Sequence, residues 1–331
     1  MKRILALLAA LGFSFPLAGQ QPIRDPSTAE RVATPENLGA AATTTEGESG
    51  AEAVAAPGSD AGAQRPLRMK KTGTSTYFGY VSKYFYRSNP LMADGPLTQQ
   101  KTAMWTNTFF AGMGLGAHEV GDSVITPYAG ASWTVNDFIE GGLDSLNYNS
   151  TGAYAMLLAQ YANGWSSRIG VNYFSDVETA TDTQSYAEFN PNIGLMKAHS
   201  FPGFQAVIDL SAGLHRTNSD AVNSTTGAFI TDDLDNWDVA AKLALHKQIG
   251  RVKVTPAYRL SYKSFSNGDN DGRNDINHDL GLDFDVRLGK GVSLTLGAKY
   301  STRDSSGGFE PNTFDFENFD TGGGLSINAR F

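Results

Sequence analysis

The sequence predicts an all-β fold: a closed, antiparallel, up-and-down transmembrane β-barrel of about twelve strands. Three observations predict it. The last thirteen residues, Phe319 to Phe331, read F-D-T-G-G-G-L-S-I-N-A-R-F. Phe319, Leu325, Ile327, Ala329 and Phe331 are apolar and Asp320, Ser326, Asn328 and Arg330 polar, the period-two pattern of a strand with one oily and one wet face. The same alternation recurs upstream, and a terminal strand of this kind is left without an open edge only if the sheet closes on itself. The connections between these segments alternate strictly in length. Composition agrees: 36 Gly, 19 Phe, 13 Tyr, 4 Trp, only 18% charged residues, and no apolar run beyond residue 20 long enough to cross a membrane as a helix.

From the N-terminus, Lys2 and Arg3 precede the apolar run Ile4 to Leu17 and the small residues Ala18 and Gly19, the order of a secretory signal peptide over residues 1–20. The expected mature chain is exported. Zero cysteines exclude a disulfide framework, a thiolate metal site and a cysteine nucleophile. Residues 21–74 are expected to be a disordered, low-complexity periplasmic tail. From Gln21 to Pro66 the chain has no aromatic residue, and so too little apolar surface to offset its ordering entropy. Arg68, Lys70 and Lys71 then stand either where they can meet anionic headgroups or as ordinary solvated charges.

The barrel is expected over residues 75–331, with strands at 77–87, 103–117, 122–134, 151–162, 165–175, 185–199, 203–216, 235–249, 251–264, 276–288, 291–303 and 318–331. Two of them have poorly defined register: aromatics occupy both parities of Tyr77 to Arg87, and neither face of Tyr154-Ala155-Met156-Leu157-Leu158 is polar. The facing is clearest near residue 250, where Arg251, Lys253, Thr255, Arg259, Ser261 and Lys263 alternate with Val252, Val254, Tyr258, Leu260 and Tyr262. Pro127, Pro191 and Pro256 fall inside strands, where each removes a ladder donor and predicts a local bulge.

Short connections, at 118–121, 163–164, 200–202, 250 and 289–290, carry Asn163-Gly164, Pro202-Gly203 and Gly289-Lys290-Gly291, all hairpin chemistry. Long ones, at 88–102, 135–150, 176–184, 217–234, 265–275 and 304–317, are polar and rich in Asp. This is the pattern of periplasmic turns and extracellular loops, and an even strand number places both ends of the barrel in the periplasm. Trp105, Trp133, Trp165, Trp237, Tyr262 and Tyr300 fall near strand ends, where interfacial girdles sit.

The ending resembles the C-terminal signal of bacterial outer-membrane β-barrel proteins, a final amphipathic strand closing in Phe. That resemblance implies a porin-like barrel located in the bacterial outer membrane, with the lipid bilayer around its wall and Phe331 read by the barrel assembly machinery as an assembly signal.

The five histidines, His118, His199, His215, His246 and His278, lie in five segments without an H-x-x-x-H spacing, so no metal site and no cofactor is expected. A net charge of −8 argues against a nucleic-acid partner. Outer-membrane phospholipases, similar in strand number, use a His/Ser pair on the outer wall; His278 lies on an apolar face, but no matching Ser motif accompanies it. Omptin-type proteases use Asp/His pairs at the rim, for which Asp275 and His278 are the nearest approximation. No catalytic residue is expected.

The lumen is the informative surface. Arg251, Lys253, Arg259 and Lys263 share one parity and are expected to line the pore, together with Asp279, Asp283, Asp285, Arg287 and Lys299. Lys242, Arg303 and Arg330 extend the cationic set, and Glu188, Asp209 and Asp238 the acidic one. Such a lumen is similar to that of the twelve-stranded acidic-sugar channels, though no diagnostic motif is present. The charges either form a track that guides solutes or neutralise each other in a lumen plugged by salt bridges. Glycines expected to face inward (112, 114, 116, 213, 281, 297, 322 and 324) favour an open interior. The expected function is a passive channel for small polar solutes, without enzymic chemistry. The alternatives are a non-conducting surface or scaffold barrel with acidic extracellular loops, and an autotransporter-like translocator, whose usual long passenger and amphipathic pore helix are not seen before the barrel.

Overall fold

A segment that alternates with period two presents one apolar and one polar face, and a single sheet satisfies both only if one face meets hydrocarbon and the other closes around a polar interior. The computed structural model describes residues 74–90, 101–139, 143, 146–219, 221–222, 229–230, 232–307 and 315–331. The expected signal peptide, and the expected tail apart from Thr74, lie outside the described residues.

Twelve antiparallel strands form the wall: β1 (Ser75–Arg87), β2 (Thr102–Gly114), β3 (Ser123–Phe138), β4 (Tyr148–Tyr161), β5 (Trp165–Glu178), β6 (Gln184–Phe201), β7 (Phe204–Ser219), β8 (Asn236–Ile249), β9 (Val252–Phe265), β10 (Asn274–Gly289), β11 (Val292–Ser306) and β12 (Phe316–Arg330). Each pairs with the next, and β1 pairs with both β2 and β12, so the sheet is closed. The strands run 13 to 18 residues, longer than the roughly 9 to 11 needed to cross a bilayer, so their ends stand clear of it.

The expected β2 is cut short. It stops at Gly114, and a three-residue strand, His118–Val120, then forms its own tight hairpin with the start of β3 around Gly121-Asp122. Gly116, with φ 91, makes the offset between the two. Two expected loops are shorter than their polarity suggested: 135–150 shrinks to 139–147 and 176–184 to 179–183. Asn136 and Asp176 are polar because they face the lumen, where each is buried, not because they lie in loops.

The outer wall is apolar. Leu280 and Ile169 are each 58% exposed, and Ile193, Leu243, Leu260 and Leu296 share that face. Among the described residues, outward charged groups such as Asp137, Lys197, Arg216, Lys247, Asp304 and Glu317 lie near strand ends, away from the middle of the wall. A charge at mid-wall would cost about 2–4 kcal/mol against lipid. Aromatic residues mark both rims. Trp105, Trp133 and Trp237 stand near the long-loop end, while Phe201 stacks on Phe204 and Phe78 on Phe331 at the short-turn end. Polar groups on this face are capped by aromatics: Trp105 Nε1 donates to Ser82 Oγ at 2.9 Å and Tyr80 Oη to Asn107 at 2.6 Å. The wall is that of a transmembrane barrel.

Pro191 and Pro256 do not produce the expected bulges, whereas at Pro127 the β2–β3 register does shift by one residue, from Gly114↔Tyr128 to His118↔Ile125. The β6–β7 register runs unshifted from Phe189↔Arg216 to Asn192↔Gly213, with the two intervening rungs absent around Pro191. The β8–β9 register likewise passes from Ala244↔Ala257 to Lys247↔Val254 around Pro256. A missing donor here removes rungs without inserting a residue. Register shifts occur elsewhere, at Asp176/Val177 and Arg287/Gly289.

Candidate functional site in the barrel lumen

Alternation sends Tyr77, Phe85 and Arg87 of β1 inward, with Met104 and Phe110 of β2, Tyr128 and Phe138 of β3, and Tyr148, Tyr154 and Met156 of β4. One sector of the lumen is therefore aromatic. Phe85, Met104, Phe138, Leu143 and Tyr148 pack together near the long loops, and Phe110 and Tyr154 lower down with Tyr77, Tyr128 and Met156. The hydroxyls of Tyr77 and Tyr154 bond directly to each other. This explains the mixed parity of β1 and β4: aromatics occur on both faces because one set meets lipid and the other fills the interior.

The opposite sector, β5 to β12, is held by ion pairs and polar bonds. Arg168 on β5 reaches over Gly194 to pair bidentately with Asp209 on β7, at 2.7 and 2.9 Å. Arg87 and Asp320 pair the same way across the closing seam, at 2.9 and 2.8 Å. In the long-loop half every strand turns at least one buried side chain inward, among them Arg87, Thr102, Asn136, Tyr148, Asp176, Tyr186, Ser219, Asp238, Lys263, Asp275, Arg303 and Asn318. The short-turn half is looser, with Gln248, Asp283 and Arg287 exposed to its interior and open space in front of Gly281.

The sequence-predicted pore residues divide along this axis. Lys253 faces inward in the looser half and pairs with Asp285 at 3.3 Å, both partners about 30% exposed; Thr295 Oγ1 also donates to Asp285, at 2.7 Å. Asp283 is exposed. Arg259 lies mid-lumen, 3.9 Å from Asp238. Asp279 is bracketed by Lys299 at 3.2 Å and the Ser301 hydroxyl at 2.7 Å. Lys263 is buried between Asp238 and Asp275 in register. Arg287 sits exposed at the end of β10. Arg251 is displaced: the strand begins at Val252, leaving Arg251 exposed in the β8–β9 turn and off the stripe.

Two glycines expected to open the lumen bed aromatic rings instead. A Cβ at Gly112 would run into the Tyr77 ring, and one at Gly114 would crowd the Tyr128 ring, whereas Gly322 lies against the backbone of Tyr84 and Phe85. Asp275 and His278 do not meet, being of opposite parity. Asp275 is buried inside against Arg273, whereas His278 lies on the outer wall with its Nδ1 2.7 Å from the Tyr258 hydroxyl.

Two groupings were invisible to sequence reasoning. In the first, His215 on β7 places Nδ1 3.0 Å from Glu188 Oε1 of β6 and Nε2 3.0 Å from Asp238 Oδ1 of β8. Glu188 also accepts from the Tyr186 hydroxyl, and the Asn190 amide lies 3.2 Å from His215 Nε2. All three are inward residues at one height, but that height depends on register, which alternation does not set. In the second, the loops before β8 and β10 interlock. Arg273, fully buried, pairs with Asp275 and donates to Asn270, and Asp233 accepts from the Asp269 and Asn270 amides. Burial holds the Asp233 carboxyl above the usual carboxylate range despite those donors. Leu234 beside it is fully buried against Tyr186 and Phe265.

No family model matches the sequence, and no curated protein matches it. Among solved structures the chain is similar to the β-domain of the Bordetella autotransporter BrkA, at 14% identity over 77% of this chain and 99% of that one, TM-score 0.39. It is also similar to the KdgM porin solved with disordered oligogalacturonate, at 9% over 75% and 98%, TM-score 0.40. A third likeness is to an outer-membrane channel from Pseudomonas putida F1, at 9% over 82% and 99%, TM-score 0.44. At such identities and scores they carry no functional argument.

Proposed function

We propose that the chain is a barrel of the bacterial outer membrane that passes small polar solutes by diffusion along the charged sector of its lumen, with a wet vestibule on the short-turn side. The observation that carries this reading is the exposed, mixed-charge interior around Asp283, Asp285, Lys253 and Arg287 inside an apolar wall. Water and paired charge of both signs on one side, and lipid on the other, suit a weakly selective pore. The aromatic sector and the buried ion pairs narrow the opposite end, so the expected unitary conductance is small. A second reading, a non-conducting scaffold barrel, is favoured by the buried inward side chains of every strand in the long-loop half.

Single-channel recording of the full chain in a planar bilayer tests the proposal. The expected result is a small, weakly selective conductance whose reversal potential moves toward cation preference in Lys253→Glu. An unchanged reversal potential would take the vestibule out of the conduction path, and no conductance under any condition would leave the scaffold barrel standing.

A further inference from the structure

A neutral imidazole carries one N–H and one lone pair, so it can donate to only one of two carboxylates. His215 has a carboxylate oxygen 3.0 Å from each ring nitrogen. Both contacts are hydrogen bonds only when the three groups, His215, Glu188 and Asp238, together hold a second proton. We infer that this bridge is a proton-operated latch on the long-loop end of the lumen, regulating the channel proposed above.

The latch ties three strands, and both arms lead to one plug, the buried cluster of Leu234, Tyr186 and Phe265. Glu188 is bonded to the Tyr186 hydroxyl, and Tyr186 packs on Leu234 of the β7–β8 loop and on Phe265. Asp238 lies two residues beyond Asn236, whose side-chain amide donates to the Leu234 carbonyl at 2.9 Å. The charged or titratable groups facing the bridge are Tyr186 and Glu188 from β6, Asp238 from β8, and Arg259 and Lys263 from β9. When one proton leaves to water, the bridge passes from one negative charge to two, and one carboxylate loses its imidazole donor, Asp238 keeping Arg259 at 3.9 Å. Asn190 directs that loss. Its amide, 3.2 Å from Nε2, can donate to the nitrogen once it is bare, so the contact that opens is the one to Asp238. The β8 arm then holds Leu234 less firmly, and the plug loosens as pH rises.

The chain has no cysteine, so a single thiol reports on the plug. Leu234→Cys is placed in the full protein reconstituted in vesicles, and its labelling by a membrane-impermeant maleimide is normalised to that of Ser266→Cys, an exposed neighbouring position, which removes the thiol's own pH dependence. Asp233 also titrates in this loop, so the comparison is with His215→Gln and with Asp238→Asn, both of which leave Asp233 in place. Normalised labelling is expected to rise about tenfold from mildly acidic to mildly alkaline pH, the scale of losing one charge-assisted hydrogen bond, and that rise is expected to vanish in both variants. A flat profile in the parent, or the same rise in both variants, overturns the latch. Recordings separate the two readings. A barrel that conducts equally at every pH while Leu234→Cys labelling rises removes the regulatory role. A barrel that never conducts, with labelling still dependent on His215, removes the channel and keeps the latch.

Discussion

Thr76 and Phe331 exchange both backbone hydrogen bonds, the amide of each donating to the carbonyl of the other at 3.0 and 2.9 Å. The last residue of the chain is thus the final rung of the seam that closes the barrel, and its ring stacks on Phe78 with centroids 5.7 Å apart. Deleting Phe331 removes two hydrogen bonds, each contributing about 0.5–1.5 kcal/mol, and one aromatic pair of about the same value. The expected outcome is a lower yield of heat-modifiable, membrane-inserted barrel while export continues. Wild-type yield of the truncated chain would show that the terminal aromatic is dispensable for assembly.

The ion pairs of the lumen are expected to differ in importance according to depth. Arg87 and Asp320 are bidentate and about 90% shielded on both sides. Asp320→Ala removes the bidentate partner of a buried guanidinium and should cost about 3–5 kcal/mol. Asp285→Ala strips Lys253, which keeps water around it, and the half-buried Thr295 hydroxyl, and should cost about 1 kcal/mol. Denaturant unfolding monitored by heat-modifiable migration checks both, and equal losses would contradict the division of the lumen into a packed and a wet half.

Topology is tested from outside the cell. An epitope inserted at Ala180, in the five-residue connection between β5 and β6, is expected to be labelled on intact cells, whereas one at Lys290, in the turn between β10 and β11, is not. Labelling of the second alone would invert the barrel in the membrane.

The sequence reached the strand count and the facing of β9 to β11 because lipid enforces a strict apolar parity on the outer wall. It misjudged the ends of β3 to β6, since lumen-facing Asn136 and Asp176 look like loop residues when the lumen itself is polar. It missed the His215 bridge for a different reason. Alternation fixes which side of the wall a residue faces but not its height, and Glu188, His215 and Asp238 meet only because Asp238↔Gly213 and Asn192↔Gly213 are in register. The aromatic sector was hidden by the assumption that an inward glycine means empty space, when Gly112 and Gly114 lie against the rings of Tyr77 and Tyr128.

The rungs missing around Pro191 and Pro256 lie on either side of β7 and β8, whose own mutual ladder is continuous from Asn236↔His215 to His246↔Gln205. The strands between the two interruptions carry His215 and Asp238 on one unbroken ladder, so the bridge sits in the stretch of wall whose neighbours on both sides have given up two rungs to a proline.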